Sequence, residues 1–294
     1  MIDPRGLRVF LAVCRANSIS GGARLLNLSQ PSVSTAIAQL ERATRVTLFE
    51  RSRTGIVLTQ AGHALLLRAE AMDNLLADAE RELRLAEAGT SGPLRIGGTP
   101  GALVSLLPAA VERLEKQVGR FNLHVVERPD HDLADMLRRG DIELAFVTTE
   151  IETPDEDIEE RTVSQDPFAL IVGRENYHLP DTISLRDAAE MRWVLPEARG
   201  AFRRQIDALF MAAEISVPQD AIRCDSLLTT KAIVRGSRRL TILPMQVASA
   251  ELTIGVLRAI AIEEAGFQRS IGVRKLRDAR LSGLAASLLD VLFP

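Results

Sequence analysis

Between Thr59 and Gly89 the sequence writes one unbroken helix, and a rod of that length cannot be folded away inside a small domain. No proline falls between Gln60 and Ala88, and Pro93 is the next one along the chain. Thr59 suits an N-cap, while Gly89-Thr90-Ser91-Gly92-Pro93 ends the run. At 1.5 Å per residue the helix spans about 43 Å. Leu65, Ala69, Met72, Leu76, Ala79, Leu83 and Ala86 advance in alternating steps of four and three, the period of a coiled-coil seam. Arg68, Glu70, Asp73, Asp78, Glu80, Arg81 and Glu82 occupy the outer positions. A stripe this narrow, flanked by charge, favours a partner helix; packing on its own domain is the alternative. The rod divides the chain into a head of residues 1–59, a linker of residues 60–91 and a body of residues 92–294.

Charge separates head from body. Residues 1–60 hold eight arginines against Asp3, Glu41 and Glu50, a net +5 inside a chain whose total is −3. The rest carries −8. A basic end on an acidic body suits a protein that presents one end to a polyanion.

Leu7, Phe10, Leu11 and Cys14 recur at helical spacing and predict a first helix. Ser18 caps a short second one, in which Ala23, Leu25, Leu26 and Leu28 are the apolar set. Ser29 caps a third, whose first turn tolerates Pro31 because no N–H donor is needed there. In that helix Val33, Ile37 and Leu40 face inward, and Ser32, Ser34, Thr35, Ala38, Gln39 and Arg42 face out. Short hydroxyls and an amide beside a cation can meet base edges and phosphates in a major groove, which makes the pair a helix-turn-helix. Leu48 and Phe49 are core anchors, and Arg51-Ser52-Arg53-Thr54-Gly55 is a basic turn between two short strands. It reads as a wing that clamps phosphates, with a plain surface hairpin as the alternative.

The run Ser29-Gln30-Pro31-Ser32-Val33-Ser34, then Leu40-Glu41, Leu48-Phe49-Glu50-Arg51, Leu58-Thr59 and Ala61-Gly62, resembles the winged-helix signature of LysR-type transcriptional regulators. The resemblance implies DNA contacts by Gln30, Pro31, Ser32, Ser34, Thr35 and Gln39, and by Arg51, Arg53 and Thr54 of the wing. It also implies pairing through Leu65, Ala69, Met72, Leu76, Ala79 and Leu83 into a homodimer or homotetramer, and contact with RNA polymerase. Gly21-Gly22 stands where the family usually has at least one Ala. By helix propensity alone each glycine loosens the second helix by up to ~1 kcal/mol.

After Pro93 strands and helices alternate. Strands are predicted at 94–96, 123–126, 142–147, 168–172, 193–195, 222–224, 240–244 and 270–273, with helices near 102–118, 133–139, 202–213, 227–235 and 280–292. That alternation predicts an α/β body of parallel sheets covered by helices. Its layout resembles the two-subdomain, periplasmic-binding-protein-like effector domain of the same family. One subdomain would hold residues 92–163 and 268–294, the other 164–267, with crossovers near 163–167 and 266–269. Gly97-Gly98-Thr99-Pro100-Gly101 opens a helix after a strand but lacks the dinucleotide-loop spacing. In a cleft, Thr99 and Pro100 at that helix start suit a carboxylate or other small anion. By family position Pro129, Thr148, Phe202 and Ser226 join them as pocket walls for a small organic effector.

Other chemistry is poorly represented. Cys14 and Cys224 are expected to be small buried apolar residues, and His63, His124, His131 and His178 show no metal-ligand spacing. No catalytic triad or phosphate loop is visible, so an enzyme with a docking head ranks second. A plain solute-binding protein fits neither the basic head nor the N-terminus Met1-Ile2-Asp3-Pro4-Arg5, which does not read as a signal peptide. Without an apolar run of membrane-spanning length either, the expected place of action is the cytoplasm, on double-stranded DNA, without a resident cofactor.

Overall fold

The computed structural model describes residues 2–52, 55–198 and 200–294. The chain forms two compact units, Met1–Gly89 with Asp135–Ile142, and Thr90–Ala134 with Glu143–Pro294.

In the first unit, α1 (Pro4–Ala16) starts where Asp3 accepts a hydrogen bond from the Arg5 amide, and it stops at left-handed Asn17. Next, α2 (Ile19–Leu25) is capped by Ser18 and α3 (Gln30–Thr44) by Ser29. The strands β1 (Phe49–Ser52) and β2 (Gly55–Leu58) form an antiparallel hairpin, with Phe49 opposite Leu58. The long helix α4 (Gln60–Glu87) begins where the Thr59 hydroxyl accepts from the Gly62 amide. Phe10, Val13, Val33, Ile37, Leu40, Leu48 and Ala69 are buried together, and the Phe10 and Phe49 rings lie 5.2 Å apart. Full burial of a large apolar side chain contributes about 1.5–3 kcal/mol, so this shared core holds the helices of the head together. Burial also pushes the Cys14 thiol up to about 12, with the Glu70 carboxylate adding to the effect.

Three expectations for this unit change. Leu25 and Leu28 are 60% and 48% exposed, because α2 ends at Leu25 and its buried face is Gly21, Gly22 and Ala23. Propensity is not the only constraint on those glycines. A Cβ on Gly22 would lie 2.7 Å from Val13 Cγ2 and 2.9 Å from Val13 Cα, so the bare backbone lets α2 seat on α1. Gly22→Ala is therefore expected to destabilise the head by about 1–3 kcal/mol, read by chemical denaturation. An unchanged or raised midpoint would mean that propensity outweighs the close approach. Third, the seam of α4 is divided: Leu65 and Ala69 pack into the head's own core, whereas Leu76 and Leu83, with neighbouring Leu75, stay exposed. The N-terminal part of the seam is thus occupied within the chain.

After the long helix come β3 (Ser91–Gly98), α5 (Pro100–Val118), β4 (Phe121–Glu127), α6 (Asp130–Arg139) and β5 (Leu144–Thr148), all in the second unit except residues Asp135 to Arg139 of α6, which count with the first. Then comes β6 (Ile158–Val172), a strand of 15 residues rather than the short one predicted. It is followed by β7 (Thr182–Ile183), α7 (Leu185–Ala188), β8 (Arg192–Leu195), α8 (Ala201–Ala212), β9 (Ala221–Arg223) and α9 (Leu227–Arg235). The chain closes with β10 (Arg239–Pro244), α10 (Ser249–Thr253), β11 (Arg258–Ile262), β12 (Gln268–Leu276) and α11 (Gly283–Leu292).

The strands run in the order β4-β3-β5-β12-β6-β10-β8-β9, with β11 pairing β6 and β7. Strand β6 belongs to both halves of this unit. Ile158 to Pro167 pair with β12, and Phe168 to Val172 pair with β10 and β11. The expected crossovers are therefore strands, and they make the sheets mixed: β3, β4 and β5 are mutually parallel, as are β8, β9 and β10, while β12 and β6 run antiparallel. Each half has its own core, one around Leu94, Phe146 and Leu288, the other around Trp193, Ile206 and Phe210.

Candidate functional site

On the head, α3 divides cleanly by face. Val33, Ile37 and Leu40 are buried, while Gln30, Pro31, Ser32, Ser34, Thr35, Ala38, Gln39 and Arg42 are exposed. Not all of the polar groups are free. Gln30 Oε1 accepts from the Ser20 hydroxyl, Ser32 Oγ lies 2.7 Å from the capping Ser29 Oγ, and Arg42 Nε donates to the Ala38 carbonyl. Among the described residues the side chains of Ser34, Thr35 and Gln39 make no hydrogen bond to the protein, which leaves two hydroxyls and an amide for an outside partner. Glu41, which belongs to the same run of sequence, turns inward and accepts from the backbone N–H groups of Leu48 and Phe49, tying α3 to the hairpin. Arg51 lies in β1, whereas Arg53 and Thr54 of the expected wing tip fall outside the described residues.

The second unit holds a cavity of about 540 Å3, within the usual span of small-molecule pockets. It opens beyond the carboxyl ends of the parallel strands: Thr99 follows β3, Pro129 follows β4, Thr148 ends β5, Pro196 follows β8 and Cys224 follows β9. Thr99, Pro100, Pro129, Thr148 and Phe202 all line it. Ser226 does not: its hydroxyl caps α9, accepting from the Thr229 amide and hydroxyl, and the neighbours Asp225 and Leu227 face the cavity instead. Cys224 is half-buried against the cavity rather than fully buried. His131 is exposed at the start of α6 and touches the rim.

Several wall residues were not anticipated. Arg204 pairs with Glu152 at 2.7 Å, joining α8 to the segment after β5 at the cavity wall. Thr230 and Thr241 add buried hydroxyls. Arg269 on β12, 3% exposed, also lines the cavity, and its Nη2 lies 3.4 Å from Oδ2 of fully buried Asp166 on β6. Burial lowers the guanidinium to about 10 against the pull of Asp166, and burial raises the Asp166 carboxyl. One signal could have found this pair: Asp166 is the sole charged residue of the crossover 163–167, and Arg269 is the sole charged residue of the crossover 266–269.

Among the described residues no group of three or more His, Cys, Asp or Glu is placed to hold a metal ion, and no helix is long and apolar enough to cross a membrane.

Two sequence models match the chain. Residues 4–63 fit the bacterial regulatory helix-turn-helix protein, lysR family, and residues 87–293 fit the LysR substrate binding domain. The chain is 25% identical to the HTH-type transcriptional regulator GalR of Pseudomonas putida over 289 residues, covering 98% of this chain and 73% of that protein. Among solved structures it resembles full-length CbnR complexed with its target DNA, at a TM-score of 0.68 and 21% identity over 99% of both chains. Full-length LysG of Corynebacterium glutamicum with bound effector Arg gives a TM-score of 0.66 and 19% identity, over 99% of this chain and 98% of that one.

Proposed function

The chain belongs to the lysR family of bacterial regulatory proteins, and on that premise we propose that its head reads duplex DNA by sequence while a small organic effector in the cavity controls that reading. The observation that carries the proposal is the exposed, unbonded set Ser34, Thr35 and Gln39 on a helix whose opposite side is locked in the core. Rigid backing is what a reading helix needs, because base discrimination of about 1–3 kcal/mol per contact depends on fixed donor and acceptor positions. The arginines of residues 1–60 supply the sequence-independent attraction to phosphate.

Exposed Leu75, Leu76 and Leu83, with Met72 and Ala79 on the same rod, support pairing between copies of α4. Two heads in a homodimer or homotetramer would address half-sites about one DNA turn apart, roughly 34 Å. Gln30 and Ser32, although engaged within the head, sit at the start of α3 where backbone N–H groups face a phosphate, and Pro31 fixes that first turn. Arg51, Arg53 and Thr54 are the proposed wing contacts. Thr99, Pro100, Pro129, Thr148 and Phe202 are the proposed effector walls, with Ser226 acting through the α9 cap. The protein is read as a regulator and not as a catalyst, working in the cytoplasm alongside RNA polymerase.

The test is selection from a pool of randomised duplexes, sequencing what the full-length protein retains as salt is raised. Enrichment of a two-part site with inverted symmetry is expected, and its affinity should fall linearly with log salt. Retention with no sequence preference at any salt concentration would overturn the reading.

A further inference from the structure

We propose that the second unit carries a phosphate-binding surface of its own, five arginines gathered at the amino ends of β8 and β10 that hold the backbone of duplex DNA. This goes beyond the reading above, which places every phosphate contact on the head. It concerns the end of these strands opposite the cavity, which lies beyond their carboxyl ends.

The topology brings the five together. Arg192 opens β8, Arg239 opens β10, and the two stand side by side in the parallel register. Strand β6 ends beside them with Val172 opposite Leu240, so Arg174 follows at the same end. The turn at Gly173 is pressed against the end of α9, where a Cβ would lie 2.3 Å from the Val234 carbonyl oxygen and 3.1 Å from that of Arg235. Asn176 ties in the last member, donating from Nδ2 to the Arg238 carbonyl at 3.0 Å. Arg174, Arg192, Arg235 and Arg238 are exposed, and Arg239 is half-buried.

Little in the fold answers this charge. Arg239 Nη1 donates to the Trp193 carbonyl at 3.1 Å, and Arg238 Nε meets Glu175 at 3.4 Å. Among the described residues the side chains of Arg174, Arg192 and Arg235 make no hydrogen bond, ion pair or ring contact. Only Arg120 and Arg280 share that state among the described arginines of the second unit, so three of its five unpaired guanidiniums gather at one end. The dipole of α9 accounts for Arg235 in its last turn, but not for Arg174 or Arg192. Like charges at paired strand positions destabilise a sheet, so Arg192 beside Arg239 is a strain on the fold that a polyanion relieves. Outside residues 1–60 the chain carries a net −8, against which this concentration of positive charge runs.

The chemistry of the cluster selects phosphate over a protein surface. No exposed large apolar side chain falls within 172–176, 189–193 or 233–240. Stable protein interfaces are centred on apolar or aromatic anchors and keep charge at the rim. A duplex backbone needs only spaced cations with planar donors, and the guanidinium fork matches a phosphate in two bonds. Because the chain belongs to a family of helix-turn-helix regulators, a duplex is already its partner.

The experiment titrates full-length protein, across a range of salt, with a duplex carrying the selected site and about forty further base pairs on each side. A scrambled duplex of equal length is the second probe. In the triple variant Arg174→Gln, Arg192→Gln, Arg235→Gln the slope of log affinity against log salt is expected to flatten by about 2–3, since each neutralised phosphate contributes about 0.9. Affinity for both duplexes is expected to fall at least about tenfold in ~0.1 M salt. Their ratio should stay within about twofold of the parent's, because phosphate contacts carry no base information, and the melting temperature should hold. The control pair Arg120→Gln with Arg280→Gln removes unpaired arginines elsewhere in the unit and should leave the slope within about 0.5 of the parent's. A slope equally unmoved in the triple variant would overturn the proposal, and so would equal flattening in the control. With the slope unmoved, binding of a twenty-residue oligoglutamate by the parent alone would assign the surface to an acidic protein, and altered sedimentation of the triple variant would assign it to a second copy; either overturns the proposal. The scrambled duplex makes the outcome independent of whether the head reads bases.

Discussion

Replacing Ser34 and Thr35 together by glutamate is expected to lower affinity for the selected duplex by at least about a hundredfold without lowering the melting temperature of the protein. Both residues are exposed on α3, and neither side chain makes a hydrogen bond among the described residues. Nothing in the fold is lost when they change, and glutamate is a slightly better helix former than serine or threonine. The DNA side is different. Each base pair misread in a site costs about 1–3 kcal/mol, and two carboxylates brought against phosphates replace attraction with repulsion. Two contacts at the lower end already give a factor near thirty, since 1.4 kcal/mol is tenfold, and charge repulsion carries the product past a hundred. Val33→Ala provides the opposite control. It opens space beside Phe10 and Leu40 in the core and should lower stability before it alters base preference. If the glutamate pair bound the selected duplex within threefold of the parent in ~0.1 M salt, the exposed side of α3 would not be the reading surface.

The head was legible because its information is local. Ser18, Ser29 and Thr59 cap α2, α3 and α4 as their spacing predicts, and Val33, Ile37 and Leu40 are buried as their period requires. What failed there were contacts between helices. No single-helix pattern reveals that Gly22 lies against Val13, or that Ala69 belongs to the head's core before it can serve a partner. In the body, element types were read correctly wherever an apolar run was long, as at Phe168 to Val172. The N-terminal part of β6 was missed because Glu159, Glu160 and Arg161 look like a loop when read alone. They are strand residues because β12 pairs with them and answers with Arg274 and Lys275. The short strands β7 and β11 escaped for a related reason, since β7 exists through its pairing with β11. Five of six predicted cavity residues lie on the cavity, Thr99, Pro129 and Thr148 because they follow or end strands and Phe202 by family position, while Arg269 and Asp166 are 103 positions apart and meet only through the crossover pairing.

That pairing is tightest at Gly272, and Gly272→Ala is expected to lower the stability of the second unit by about 3 kcal/mol or more. Gly272 sits where the β6–β12 register shifts. A Cβ there would lie 2.0 Å from the Arg161 carbonyl oxygen, 2.9 Å from its carbon and 2.8 Å from Thr162 Cα. All three are backbone atoms of the paired strand, so no side chain can swing aside, and the ladder itself must open. A loss of that size corresponds to a fall of roughly 6–12 °C in melting temperature for a unit of this scale. Gly266→Ala and Gly283→Ala are matched controls, because nothing lies within 4 Å of a Cβ at either position. Gly283 begins α11, where alanine should hold or slightly raise stability by reducing the freedom of the unfolded chain. Both controls are expected to melt with the parent. If Gly272→Ala melted within about 2 °C of Gly266→Ala, β6 and β12 would have to tolerate a spread that their hydrogen-bonded register does not provide.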